Sequence, residues 1–243
     1  MTIQETRVMS QSVTVRGVTC NSKGPNSDGC DPESCKDVLI EDCVFDTGDD
    51  CITIKSGRNA DGRRAGVAAE NIIVSRCRMR AGHGSVVMGR ELSGGIRNVF
   101  VENCHMSCPD LVRGIRIKTN AMRGGGAENL IVRDLRVGNA RYLFVINFYY
   151  EEGDDGPFYP DVHHNNLRDI NCANSQRVMD ILGFKHAHIR DISLRNITVD
   201  NAAKVSRVSV TKNLVFENVT VNGSPIVSSD DLTVNKPQTR SIR

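Results

Sequence analysis

The chain has 243 residues, 31 Lys+Arg against 29 Asp+Glu for a net charge of +2, with 39% apolar and 25% charged residues. That balance is globular rather than disordered, and it offers no general attraction for nucleic acid or an anionic membrane surface. Aromatic residues make up 5% and Trp is absent, which excludes a broad aromatic platform, and no apolar run approaches the ~20 residues of a membrane helix.

Residues 1–7 contain no apolar stretch of the kind a secretory leader needs, so no signal peptide is expected in this chain. A six-residue block of alternating apolar and polar character then begins, first as Val13-Thr14-Val15-Arg16-Gly17-Val18. It returns at 38–43, 72–77, 99–104 and 130–135, more weakly at 165–170, and again at 192–197 and 214–219. Period two and β-branched residues are strand chemistry. A second strand is predicted after several blocks, at 52–55, 86–88, 115–118 and 143–146.

The blocks recur every 22 to 35 residues. Constant strands separated by turns of variable length predict an all-β, right-handed parallel β-helix of about eight coils over residues 1–227, followed by a polar tail at 228–243. Each coil would stack about 4.8 Å from the last. A β-sandwich, the alternative, has hairpin turns and no long-period self-similarity. Cys43, Cys77 and Cys104 share one register, which predicts an inward column of thiols acting as small hydrophobes. Cys30 and Cys35 share a predicted turn, where a local bridge is left open. With no C-x-x-C pair among the nine cysteines, neither a metal site nor a cofactor is expected.

Stacking sets residues at matching offsets side by side on one wall. Asn26-Ser27-Asp28, Gly48-Asp49-Asp50, Gly82-His83-Gly84 and Arg116-Ile117-Lys118 follow four consecutive blocks in this way. Alone, each is a turn or a solvated strand face. Together, three crowded carboxylates raise the pKa of at least one of them, and a raised acid beside ionised carboxylates suits glycosidic hydrolysis. Arg116 and Lys118 alternate with apolar neighbours and point outward, where they suit an anionic sugar.

The four motifs in this order resemble the polygalacturonases, the family 28 glycoside hydrolases. The resemblance implies hydrolysis of α-1,4-galacturonosyl linkages of polygalacturonate with inversion, on a galacturonan substrate, without metal or cofactor. It implies that Asp49 is the general acid, that Asp28 and Asp50 activate water, and that His83 tunes the acid. Arg116 and Lys118 would bind uronate carboxylates, Asn26 would orient its neighbours, and Tyr149 or Tyr150 would supply a downstream tyrosine. An insertion at 58–64 resembles loops of exo-acting bacterial members. Rhamnogalacturonan hydrolysis, a pectate lyase on the same fold and a non-catalytic carbohydrate-binding β-helix are the competing readings.

Members of that family are commonly longer, with a signal peptide and more coils before Asn-x-Asp, and are secreted or periplasmic. Residue 1 is therefore read as an internal start or fragment boundary, with exposed strand edges that favour association. The acidic loop at 151–157 is read as a solvated turn rather than a calcium site. Asn196-Ile197-Thr198 and Asn218-Val219-Thr220 match the glycosylation pattern within strand blocks.

Overall fold

The computed structural model describes residues 5–234. Two left-handed corners shape nearly every coil. Asp37, Asn71, Asn98, Asn129, His164, Asp191 and Asn213 hold φ between 53° and 57°. Five residues later, Asp42, Arg76, Asn103, Asp134, Asp169, Asn196 and Asn218 hold φ between 52° and 56°. Asn and Asp enter this region at less cost than most residues because a short polar side chain can bond nearby. Here the bonds run from coil to coil. Asn71 Nδ2 donates to Asp37 Oδ1 (2.8 Å), Asn98 Nδ2 to Asn71 Oδ1 (3.0 Å) and Asn129 Nδ2 to Asn98 Oδ1 (2.7 Å). The second corner repeats the device, with Asn196 Nδ2 on Asp169 Oδ1 (2.9 Å) and Asn218 Nδ2 on Asn196 Oδ1 (3.0 Å). Both glycosylation-type asparagines are thus ladder members.

Between corners the chain is extended, and its strands pair in parallel with the coils before and after. Among the described residues the one antiparallel strand pairing is at the end, where Ser224–Ile226 turns back on Thr211–Val221. This is the parallel β-helix expected, with eight block strands. One face carries Cys30–Glu33, Ile52–Ile54, Val86–Met88 and Arg113–Lys118. A second carries Lys36–Glu41, Ala69–Ser75 and Ile96–Glu102, and a third Val44–Thr47, Arg78–Ala81 and His105–Met106. Beyond them, Gly126–Asn147 and Asp161–Leu182 run round the corners as continuous strands.

Inward residues stack in apolar columns: Val38, Ile72, Val99 and Leu130 are all buried. Cys43, Cys77 and Cys104 form the predicted column, each buried. The hydrogen bond to Cys104, followed by burial, pushes the Cys77 thiol up to about 12, so it packs as a neutral group.

Three expectations need correction. Cys30 lies on a strand, not in a turn, and Cys35 just precedes the next strand; both are buried. The stretch read as a polar tail begins with a helix, Ser229–Val234, whose Leu232 is buried and whose Leu232 carbonyl accepts from Ser206 N (3.0 Å); residues 235–243 lie outside the described residues. The acidic loop is more than a solvated turn. Glu151 and Glu152 reach the fully buried Arg123 at 3.3 and 3.5 Å. Arg123 Nη1 also donates to Asn59 Oδ1 (2.6 Å), at the start of the helix Asn59–Ala65 in the insertion. No helix among the described residues is long and apolar enough to cross a membrane.

Asn98 both accepts and donates in the corner ladder. Asn98→Ala removes two bonds and leaves a Cβ-bearing residue at positive φ, so unfolding free energy should fall by about 2–3 kcal/mol. Asn98→Gly, which relieves the backbone, should lose less. Urea unfolding of both variants measures this, and equal losses would refute the corner-strain part of the account.

Candidate active site

The acids owe their meeting to the ladder of the first face. Gly29 N donates to Asp50 O and Cys51 N to Gly84 O, which sets Asp28, Asp50 and Gly84 side by side in successive coils. One carboxylate oxygen from each of Asp28, Asp49 and Asp50 lies within 4.8 Å of the others. The Gly48-Asp49 turn is held by Thr47, whose Oγ1 donates to Asp49 O (2.8 Å). His83 N donates to Asp49 O (3.0 Å), and His83 Nδ1 stands 3.0 Å from Asp49 Oδ1.

The glycines flanking His83 have a steric cause. Gly82 has φ 153°, and a Cβ there would lie 2.7 Å from Asp49 O. A Cβ on Gly84 would lie 2.3 Å from Val87 Cγ2 and 3.0 Å from Asp50 Oδ1. Any larger residue would push the coil away from the acids it is meant to face.

Cations balance the three acids. Lys118 Nζ donates to Asp50 Oδ2 (2.8 Å). Lys55 Nζ donates to Asp31 Oδ2 (2.7 Å) and Asp28 Oδ2 (3.3 Å), and Asp50 N donates to Asp28 Oδ1 (3.1 Å). Burial pushes the Asp50 carboxyl up, while Lys118 and Arg116 pull it back. Burial likewise pushes Asp31 up to about 6 against the pull of Lys55. Burial lowers the Lys55 ammonium, but Asp31 and Asp28 outweigh it and hold it above its ordinary value. The acid trio is the one group among the described residues spaced to hold a metal ion, yet two lysines already bond to it.

Arg116 is placed differently. It is 8% exposed, its Nε has no hydrogen-bond partner, and no carboxylate pairs with it among the described residues. Burial, with Arg113 nearby, lowers it to about 10. Its guanidinium lies 5.3 Å from the Tyr150 ring centre, and Lys118 Nζ 5.6 Å from the same ring. Arg116 therefore points away from the core yet stays buried among its neighbours, not in free solvent.

The structure brings Asp28, Asp49, Asp50, His83, Arg116, Lys118 and Tyr150 together. Tyr149 does not join them; it turns edge-on to Phe184, with ring centres 4.8 Å apart. Asn26 is exposed on its turn at φ 52° and makes no side-chain hydrogen bond among the described residues, so it contributes a turn conformation rather than a bond to its neighbours. Motif reading gave no role to Lys55, Asp31 or Arg113: Asp31 and Lys55 lie in the flanking stretches Gly29-Cys30-Asp31-Pro32 and Ile54-Lys55-Ser56-Gly57, and Arg113 lies just before Arg116-Ile117-Lys118. The one available signal was outward alternation on a first-face strand, as in Ile52-Thr53-Ile54-Lys55.

Asp31 gives a direct check. Its Cγ resonance should titrate near pH 6. Because folding raises its affinity for a proton, its stabilising contribution is full below the ordinary carboxylate range and declines as pH rises through about 6. Lys55→Met should move the midpoint higher. A midpoint near 4 in the unaltered chain would contradict the buried pairing.

The sequence profile of Glycosyl hydrolases family 28 matches residues 1–170. A probable polygalacturonase of Vitis vinifera is 29% identical over 208 residues, 83% of this chain and 42% of that protein. An exo-poly-alpha-D-galacturonosidase of Dickeya chrysanthemi is 24% identical over 234 residues, 96% of this chain and 36% of that protein. Among solved structures, a hyperthermoactive exopolygalacturonase from Thermotoga maritima superposes with a TM-score of 0.87 at 36% identity, covering 91% of this chain and 50% of that one. The chain therefore spans half or less of the length of these relatives.

Proposed function

The chain belongs to glycosyl hydrolase family 28, and from that premise we propose that its groove hydrolyses α-1,4-galacturonosyl linkages of polygalacturonate. The observation that carries the reading is Arg116: a buried guanidinium with an orphaned Nε and no acid partner, beside three clustered carboxylates. A buried unpaired cation is costly, and a uronate carboxylate supplies the two-point partner it lacks.

The roles divide by environment. Asp49 is partly exposed and bonded to His83, so it faces the leaving oxygen and donates the proton. Asp50 is buried and bonded to Lys118; burial raises its proton affinity against the pull of Lys118 and Arg116, which suits it to the role of base. Asp50 with Asp28 takes the proton from the attacking water. Lys118 and Arg116 bind substrate carboxylates, with Tyr150 behind them. The acids lie closer than the ~6.5–9.5 Å usual for inverting pairs, so inversion rests on family resemblance and is tested by the anomer first formed. We propose exo action. The insertion helix is clamped to neighbouring loops by Arg63, which donates to Met122 O (2.9 Å) and Arg123 O (3.1 Å) and lies 3.5 Å over the Phe158 ring; held in this way, the insertion would close one end of the cleft.

Incubation with polygalacturonate in chelator should release reducing ends without the ultraviolet absorbance of an unsaturated product. The first-formed product should be the β-anomer by proton NMR. Asp49→Asn should lower kcat by about a hundredfold or more. Unsaturated product would identify a lyase, and unchanged turnover would remove Asp49 from its role. Exo action predicts slow loss of viscosity relative to reducing ends; a rapid fall would mean internal cleavage.

A further inference from the structure

The first face does not stop at the acids. Beyond Asp50 and Gly84, the same register continues through Arg113, Tyr142 and Arg177. Lys204 N donates to Gln176 O, which sets Lys204 next in the row. Arg113 and Arg177 sandwich the Tyr142 ring, their guanidinium carbons 5.7 and 5.8 Å from its centre.

Both guanidiniums keep unused donors. Arg113 Nη1 reaches only His83 O, at 3.5 Å, and has no acid partner among the described residues. Arg177 Nε donates to Val205 O (2.7 Å), and its nearest carboxylate oxygen, on Asp180, is 4.0 Å from Nη1. That carboxylate is taken by Arg207, whose Nε and Nη2 donate to its two oxygens at 2.5 and 2.7 Å. Tyr142 and the two arginines are half-buried, and Lys204 is exposed. The row is therefore a positively charged track with an aromatic plate in it. It starts at the acids and runs along the helix axis, gaining one charged or aromatic group per coil of about 4.8 Å, a spacing close to one residue of an extended 1,4-linked polysaccharide.

We propose that Arg113, Tyr142 and Arg177 form an extended binding track for an acidic polysaccharide, in which the two arginines take carboxylates of sugars remote from the cleaved bond and Tyr142 holds them apart as a stacked spacer. This rests on the hydrolase reading above. Arg177 lies four coils, about 19 Å, from Asp50, so only substrates of several sugars can reach it. The track is a determinant of chain-length preference.

The test is the dependence of kcat/KM on oligogalacturonate length, from two to six sugars, for the wild type, Arg177→Gln and Arg113→Gln. The wild type should gain on lengthening. Arg177→Gln should lose about tenfold of that gain, seen as a rise in KM for the longest substrates, since one charge-assisted contact is removed. Arg113→Gln should lose its part of the gain at shorter lengths than Arg177→Gln. If the wild type gains with length and both variants gain equally, the track is refuted and the hydrolase reading stands. If the wild type cleaves no oligogalacturonate, both fall together.

Discussion

The parallel pairing of one coil with the next is the constraint on which this molecule depends. It aligns residues far apart in sequence at a fixed spacing, but only if every coil turns at the same point. The left-handed corners guarantee that. They sit five residues apart in each block, and their Asn and Asp side chains bond across coils. Turn lengths elsewhere are then free to vary without disturbing the register. The insertion helix, the Met122–Arg123 turn and the acidic loop use that freedom, and Arg123 and Arg63 tie them to one another.

The site is an exercise in charge balance within a confined space. Asp28, Asp49 and Asp50 would repel one another if left alone. Lys55 and Lys118 meet two of them, and His83 meets the third. The arginines are left over. Arg113 and Arg116 lie near enough for Arg113 to depress Arg116, and neither has an acid of its own among the described residues. A groove so arranged is stable as built yet carries positive charge that an anionic ligand can use. Under the proposed function, the paired acids would supply the chemistry and the unpaired cations the preference for uronates.

Much of this was legible in the sequence, and the limits have physical causes. Period-two blocks with β-branched residues revealed the coils, because a strand buried on one side must alternate. Matching offsets located Asp49 and His83 together, because the turn between Thr47 and Asp49 has the same length as its neighbour in the next coil. Lys55 and Arg113 received no role because their partners lie on other coils, 24 to 30 residues away in sequence, where no local spacing points to them. Tyr149 and Tyr150 are adjacent just past the strand end at Asn147 and turn to different neighbours, Phe184 and Arg116, so the sequence could name the pair but not choose within it. Asn or Asp recurs before and near the end of most blocks, but nothing in the spacing marked these positions as left-handed corners. Their bonding as ladders needed coordinates.

Comparing cleavage of polygalacturonate with cleavage of the same polymer after chemical reduction of its carboxylates to alcohols tests the central claim most directly. If unpaired groove cations select the substrate, the acidic polymer is cleaved and the neutral one is not. Equal cleavage of the two, or cleavage of the neutral polymer alone, would contradict it.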